Sequence, residues 1–155
     1  MNINYIDPYF TDVYDISIKS GKTFTIGQSD QEQLYVLLNE RAVKEIRWED
    51  DAIGKKIFWS VDYRTRFDKV AIVAGLLNNY HYLTKHHSIS PMTMPLLNKG
   101  SIGSIISVKL KLEDSKETLK FIEQNFKEIY ADELWNYQFA DQIIQNQYEA
   151  ESKMS

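Results

Sequence analysis

The stretch "HYLTKHH" holds all three histidines of the chain, His81, His86 and His87, and is its densest set of potential metal ligands. A tetrahedral zinc site needs three or four ligands converging from different directions. His81 and His86 are five positions apart, a poor fit to one helix face, and His87 directly follows His86, so their rings diverge. With no carboxylate inside the segment, it reads as a solvated loop or helix. "WEDDAIGKKI" carries a Gly54–Lys55 pair that could suggest a phosphate loop. A Walker loop needs glycine five residues earlier, where Glu49 stands, and Ser or Thr after the lysine, where Lys56 stands. The acidic run Glu49, Asp50 and Asp51 lacks the alternating spacing of a calcium loop and reads as a solvated turn.

Nucleophilic chemistry has no better foothold. "GSIGS", from Gly100 to Ser104, leads into a strand pattern, whereas a nucleophile-elbow serine sits between strand and helix. The absence of cysteine removes both a thiol nucleophile and a disulfide framework. Any catalytic pair would have to be assembled from residues far apart in the chain. No catalytic, cofactor-binding or metal-ligating residue is assigned, no cofactor is expected, and the expectation is a binding or mechanical role, not an enzyme. An acid–base enzyme using distant carboxylates has only the acid count in its favour.

The composition agrees with a folded, non-nucleic-acid-binding chain. At 155 residues it fits one domain. A chain of this size buries about 70% of its unfolded surface without needing a staple. The hydrophobic fraction of 43% is that of a globular protein, and a formal charge of −4 argues against nucleic acid, which rewards a basic face. No stretch approaches the ~18 apolar residues of a membrane span. "MNINYIDPYF" has neither the basic start nor the apolar core of a signal peptide.

The elements that would position any site follow from periodicity. Asp7 and Pro8 read as an N-cap and first helical residue, opening a short helix with Tyr9, Phe10 and Val13. "DISIKSG" alternates as a strand, with Ile16 and Ile18 on one face, and ends at Gly21. Leu34 to Leu38 is a buried-strand run, Asn39 caps a helix, and Ala42, Val43 and Ile46 form that helix's apolar stripe. Extended structure resumes around Lys56 to Trp59. "FDKVAIVAGLLNNY" is apolar throughout and predicts a central strand. Pro91 and Pro95 mark "PMTMP" as an edge segment. Ile106, Val108, Leu110 and Leu112 alternate with Ser107, Lys109 and Lys111 as a strand with one wet face. Asp114 and Glu117 have capping-box spacing before a helix whose Leu119, Ile122, Phe126 and Ile129 share a stripe. A last helix begins near Phe139 and is expected to run to the end of the chain. The fold class expected is α+β (mixed α/β), with helices packed on a mixed sheet and a stalk-like C-terminal helix.

Several of these stretches together resemble one family. "DPYFTDVYDISIKSGKTF" is similar to a pattern of aromatic-rich short helix, aliphatic strand and Gly-Arg-x-Phe turn, with Lys22 replacing the arginine. In "VLLNERAVKEIRWEDDAIGKKI" the matching positions are Asn39, Glu40, Ala42, Val43, Trp48, Ile53, Gly54 and Lys55. "IVAGLLNNYHY" resembles an aliphatic strand leading into Gly-Val-Val-Lys-Asp-Phe-His, with Asn79 where Asp is common. "NYQFADQIIQNQYEAE" looks like the segment before a second transmembrane helix, through Tyr137, Phe139, Asp141, Tyr148 and Glu151. The family is the MacB-like periplasmic core domain of ABC transporter permeases of the MacB and FtsX type.

The resemblance implies a single extracytoplasmic fragment over 1–155 on the periplasmic side of the inner membrane, with transmembrane helices and ATPase absent. It implies as partners the permease's own transmembrane helices, a cytoplasmic ATP-binding subunit or domain, a second permease copy, and a periplasmic partner or lipoprotein or peptide cargo. On physical grounds its motif residues are architectural. Asn39 caps, Gly54 turns, and Trp48 is expected to be buried between helix and sheet. The rival reading is a free-standing soluble module that binds a ligand or partner.

Overall fold

The computed structural model describes residues 2–28, 33–48, 51–60, 68–80, 89–97, 105–143 and 145–146. They fall into two compact units, Met1–His81 with Ser88–Ser107, and Tyr82–His87 with Val108–Ser155. The fold class is α+β, as expected.

The first unit is built on a six-stranded sheet. In chain order it contains β1 (Asn2–Ile3), α1 (Phe10–Val13), β2 (Ile18–Gly21), β3 (Leu34–Asn39), α2 (Glu40–Glu45), β4 (Lys56–Ser60), β5 (Asp68–Leu77) and β6 (Met92–Pro95). The sheet order is β1-β6-β3-β5-β2, with β4 also paired to β5. The long apolar run is central: β5 lies parallel to β3 along one edge. Its other edge is shared, antiparallel, by β4 over Asp68 to Ile72 and by β2 over Gly75 to Leu77.

The change of partner falls at a bulge. Val36 pairs with Val73 and the next residue, Leu37, pairs with Gly75, leaving Ala74 as the extra residue on β5. A bulge reverses the side-chain alternation beyond it. Ala71 and Val73 belong to the core cluster on one face of the sheet, and past the bulge Leu76 joins that same cluster. Leu77 turns to the other cluster. The run "VAIVAGLL" shows no period of two because both faces are buried and the phase shifts midway.

Those two clusters lie on opposite faces, as alternation along β3 requires. Val36 and Leu38 pack with Ala42 and Val43 of α2, and Leu37 packs with Met92, Met94, Ile6, Ile16 and Phe24. Each fully buried aliphatic side chain of β3 contributes about 2 kcal/mol of transfer free energy. At the rim, α1 starts at Phe10 with Tyr9 in the cap position, but Asp7 still serves the helix start, its Oδ1 accepting the Tyr9 N–H at 2.8 Å.

One strand sits where its prolines did not predict. β6 lies between β1 and β3, not at an edge. The N–H groups of Asn2, Asn4 and Ile6 donate to the carbonyls of Pro91, Thr93 and Pro95. The neighbour therefore asks each proline only for its carbonyl, which proline retains. The Thr93 side chain has no such role: Oγ1 is buried and, among the described residues, has no hydrogen-bond partner. An orphaned buried hydroxyl costs about 1 kcal/mol or more. Thr93→Val keeps the shape and deletes the hydroxyl. It is expected to raise stability by about 1 kcal/mol in urea denaturation, and a loss of stability would show that the hydroxyl is satisfied after all.

In the second unit, α3 (Ser115–Ile129) carries the expected stripe, with Leu119, Ile122 and Phe126 half-buried and Ile129 exposed. Asp114 holds the cap position without a side-chain bond, because its backbone (φ −106°, ψ 10°) is not in the extended conformation a capping carboxylate needs. The capping box does not form. The alternating stretch before it forms no strand over 105–111, and Ile105, Ile106 and Leu112 are 81%, 86% and 93% exposed. Alternation fits a residue to a sheet face, and among the described residues no neighbouring strand supplies one. After α3, Phe126, Trp135, Tyr137 and Phe139 form a chain of ring contacts 5.3 to 5.8 Å apart. Helix restarts at 140, as expected near Phe139, and residues 147–155, where its continuation was expected, lie outside the described residues.

Candidate functional site

Among the described residues, those that could have done chemistry do not assemble. His81, His86 and His87 lie outside the described residues, as do Glu49, Asp50 and Gly100 to Ser104. Asp51 is paired with Lys55 four residues on, at 3.1 Å. Among the described residues there is no group of three or more His, Cys, Asp or Glu able to hold a metal ion. The polar residues that do converge stand where β3 hands over to α2.

Asn39 is the hub of that junction and is fully buried. Its extended backbone (φ −86°, ψ 164°) aims the side chain at the first turn of α2, and Oδ1 accepts the Ala42 N–H at 2.9 Å. The same oxygen accepts the Met92 N–H at 2.9 Å, and Nδ2 donates to the Ser90 carbonyl at 2.9 Å. One amide thus ties the end of β3, the start of α2 and the start of β6. The cap was legible from Asn39 and the apolar stripe after it. The other two bonds span more than 50 residues and left no local signal.

Glu40 makes a second tie. Its carboxylate accepts from the Lys19 ammonium of β2 and, at 3.2 Å, from the Asn79 N–H just past β5. Asn79 Oδ1 returns the contact by accepting the Arg41 N–H at 3.1 Å. The Lys19 hydrogen bond first, and the Asn79 N–H next, hold the Glu40 carboxyl below its ordinary value of 4.5, against a desolvation that pushes it up. A depressed carboxyl stabilises the fold at pH values above 4.5 and loses that contribution as the pH falls below it. The Glu40 side chain is 32% exposed, so the effect is small, about 0.5 kcal/mol. Glu40→Gln is therefore expected to be less stable than the parent by about this amount near pH 7, with the gap closing as the pH is taken progressively below 4.5. A gap that persists at the acid end would assign the loss to geometry and not to charge.

The far end of α2 explains Trp48. The Trp48 N–H donates to the Val43 carbonyl and the Arg47 N–H to the Lys44 carbonyl, the paired bonds of a Schellman motif. Arg47 stands at its left-handed position, φ +57°. The motif brings Trp48 against the core cluster that contains Val43. Trp48 is half-buried, less than expected, with the Lys55 ammonium 5.2 Å from its ring centre. Gly54 then turns at φ +80° and its N–H donates to Val73. Asn39, Glu40, Ala42, Val43, Trp48, Gly54 and Lys55 are thus one continuous joint.

No family model matches the chain, and no curated protein matches it. Among solved structures, the periplasmic region of MacB from Actinobacillus actinomycetemcomitans superposes with a TM-score of 0.66 over 93% of this chain, at 22% identity. The fold is that of the MacB periplasmic region. The present chain spans 64% of the length of that MacB chain. Of the positions that carry the resemblance in sequence, Asn39, Glu40, Ala42, Val43, Trp48, Gly54 and Lys55 lie in the joint around α2.

Proposed function

We propose that this chain is a non-enzymatic extracytoplasmic domain of an ABC transporter permease of the MacB type, on the periplasmic side of the inner membrane. The observation that carries the reading is the match to the MacB periplasmic region across 93% of the chain. The joint around Asn39 supports a mechanical role, since the hydrogen bonds of that buried amide lock two strands and a helix into one body. A rigid body of this kind transmits displacement where a looser one would absorb it. In the proposed cycle, ATP binding and hydrolysis in a cytoplasmic subunit or domain move transmembrane helices, and the helix that starts at residue 140 passes that movement to the domain. A second permease copy and a periplasmic partner, or a lipoprotein or peptide cargo, are the expected interactors.

The test is the genomic DNA on either side of the coding stretch. Runs of ~20 apolar codons soon after Ser155 and upstream of residue 1 are expected, the length of a membrane span. A stop codon directly after Ser155, with no apolar run upstream, would overturn the transporter reading and leave a free-standing soluble binding module.

A further inference from the structure

Beside α2, where the helix stops short of covering β2 and the end of β5, the surface opens into a groove of about 610 Å³. Its floor is aliphatic, from Val43 and Leu76, and its rim carries Lys19, Arg41 and Lys44, with Asn79 at one side. Three cations against the single carboxylate of Glu40 make this a basic surface on a chain whose formal charge is −4. Glu40 is already occupied by Lys19 and the Asn79 N–H. It neutralises Lys19 and leaves the others. Among the described residues, neither the Arg41 guanidinium nor the Lys44 ammonium has an ion-pair partner.

Arg41 and Lys44 are three apart on one helix, a spacing at which like charges face one another and destabilise it slightly. Glu45 and Glu40 stand four residues from Arg41 and Lys44 respectively on the same helix, but among the described residues neither closes an ion pair with them, which leaves both cations open to an external anion. A small anion at two exposed side chains gains little, because water screens each contact. Useful affinity requires several carboxylates spaced along the groove and apolar contact with its floor, which a peptide supplies and an inorganic ion does not. We infer that this groove is a docking site for an acidic segment of a partner protein, its carboxylates held by Arg41 and Lys44 and its aliphatic carbons laid on Val43 and Leu76. The inference does not depend on the transporter reading.

The test is a titration of the ¹⁵N-labelled 155-residue chain with hexaglutamate, followed by amide chemical shifts, with inorganic phosphate titrated in parallel. The expected result is a set of shifts confined to Ser20, Arg41, Lys44, Asn79 and their neighbours, weakening steeply as salt is added. Affinity should fall by about tenfold or more in the double variant Arg41→Glu, Lys44→Glu. It should be kept in Arg41→Lys, Lys44→Arg, whose spectrum also reports that the fold is intact. Shifts scattered over other lysines, or an affinity unchanged by charge reversal, would overturn the site. Phosphate acting on the same amides as strongly as the peptide would overturn the assignment to a peptide.

Discussion

Asn39→Ala is expected to lower the unfolding free energy by about 4 kcal/mol, a large share of the 5–15 kcal/mol typical of a domain. The cap alone is worth about 1 kcal/mol. The remainder comes from the buried Met92 N–H and the part-buried Ser90 carbonyl, which both lose their partner. Asn39→Asp separates these contributions. It keeps an acceptor for the two N–H groups but turns a buried carboxylate oxygen onto the Ser90 carbonyl, so it should be destabilising at neutral pH and recover stability as the carboxyl protonates and can donate to Ser90. Urea denaturation of both proteins gives the comparison. An alanine variant within about 1 kcal/mol of the parent would mean that the hub is dispensable and the joint is held by packing alone.

The second large effect is at Gly21, where β2 meets β5. Gly21 pairs with Gly75 and sits at φ +77°. A Cβ there would lie 2.4 Å from the Ala74 carbonyl oxygen and 2.8 Å from the Gly75 Cα. Both are backbone atoms of the central strand at its bulge, and neither can move without breaking the β5 ladder. A side chain at Gly75 would in turn lie 2.5 Å from the Lys22 carbonyl oxygen. Gly21→Ala combines a left-handed backbone with an overpacked contact and should cost about 3 kcal/mol or more. The loss should appear as detachment of β2, with the Lys22 N–H released from its 3.0 Å bond to the Ala74 carbonyl. Retention of that amide's exchange protection in the variant would sink this account.

What was legible in the sequence was what neighbours decide. Asn39 before Ala42 and Val43 announced a capped helix, and the run from Val70 to Leu77 announced a strand buried on both faces. Gly21 was legible as the end of a strand, but its reason, a backbone approach from Gly75, is a long-range fact. "PMTMP" was misread because the edge rule for proline weighs the missing N–H, while the arrangement found uses the carbonyls of Pro91 and Pro95. The stretch from Ile106 to Leu112 was misread for the opposite reason. Its period of two states which side chains would share a face, not whether another strand is there to complete a sheet. The groove beside α2 left no motif, since Lys19, Arg41, Lys44 and Asn79 come together only through the order of β2, β5 and α2.

The position of β1 bears on the order in which the sheet is made. Its partner β6 is about 90 residues away along the chain, whereas β4 and β5 pair across a connection as short as that from Ser60 to Asp68. Closing the longer loop costs about 2 kcal/mol more in chain entropy, and two residues of ladder return little against it. Local pairing is therefore expected first and β1 last, although β1 leaves the ribosome before the other strands of this sheet. Hydrogen exchange should find the Asn4 amide, bonded to Thr93, opening well before the β5 amides that face β3. Until β1 docks, one side of the proline-bearing strand stands bare, and a nascent chain is exposed there to pairing with the wrong neighbour.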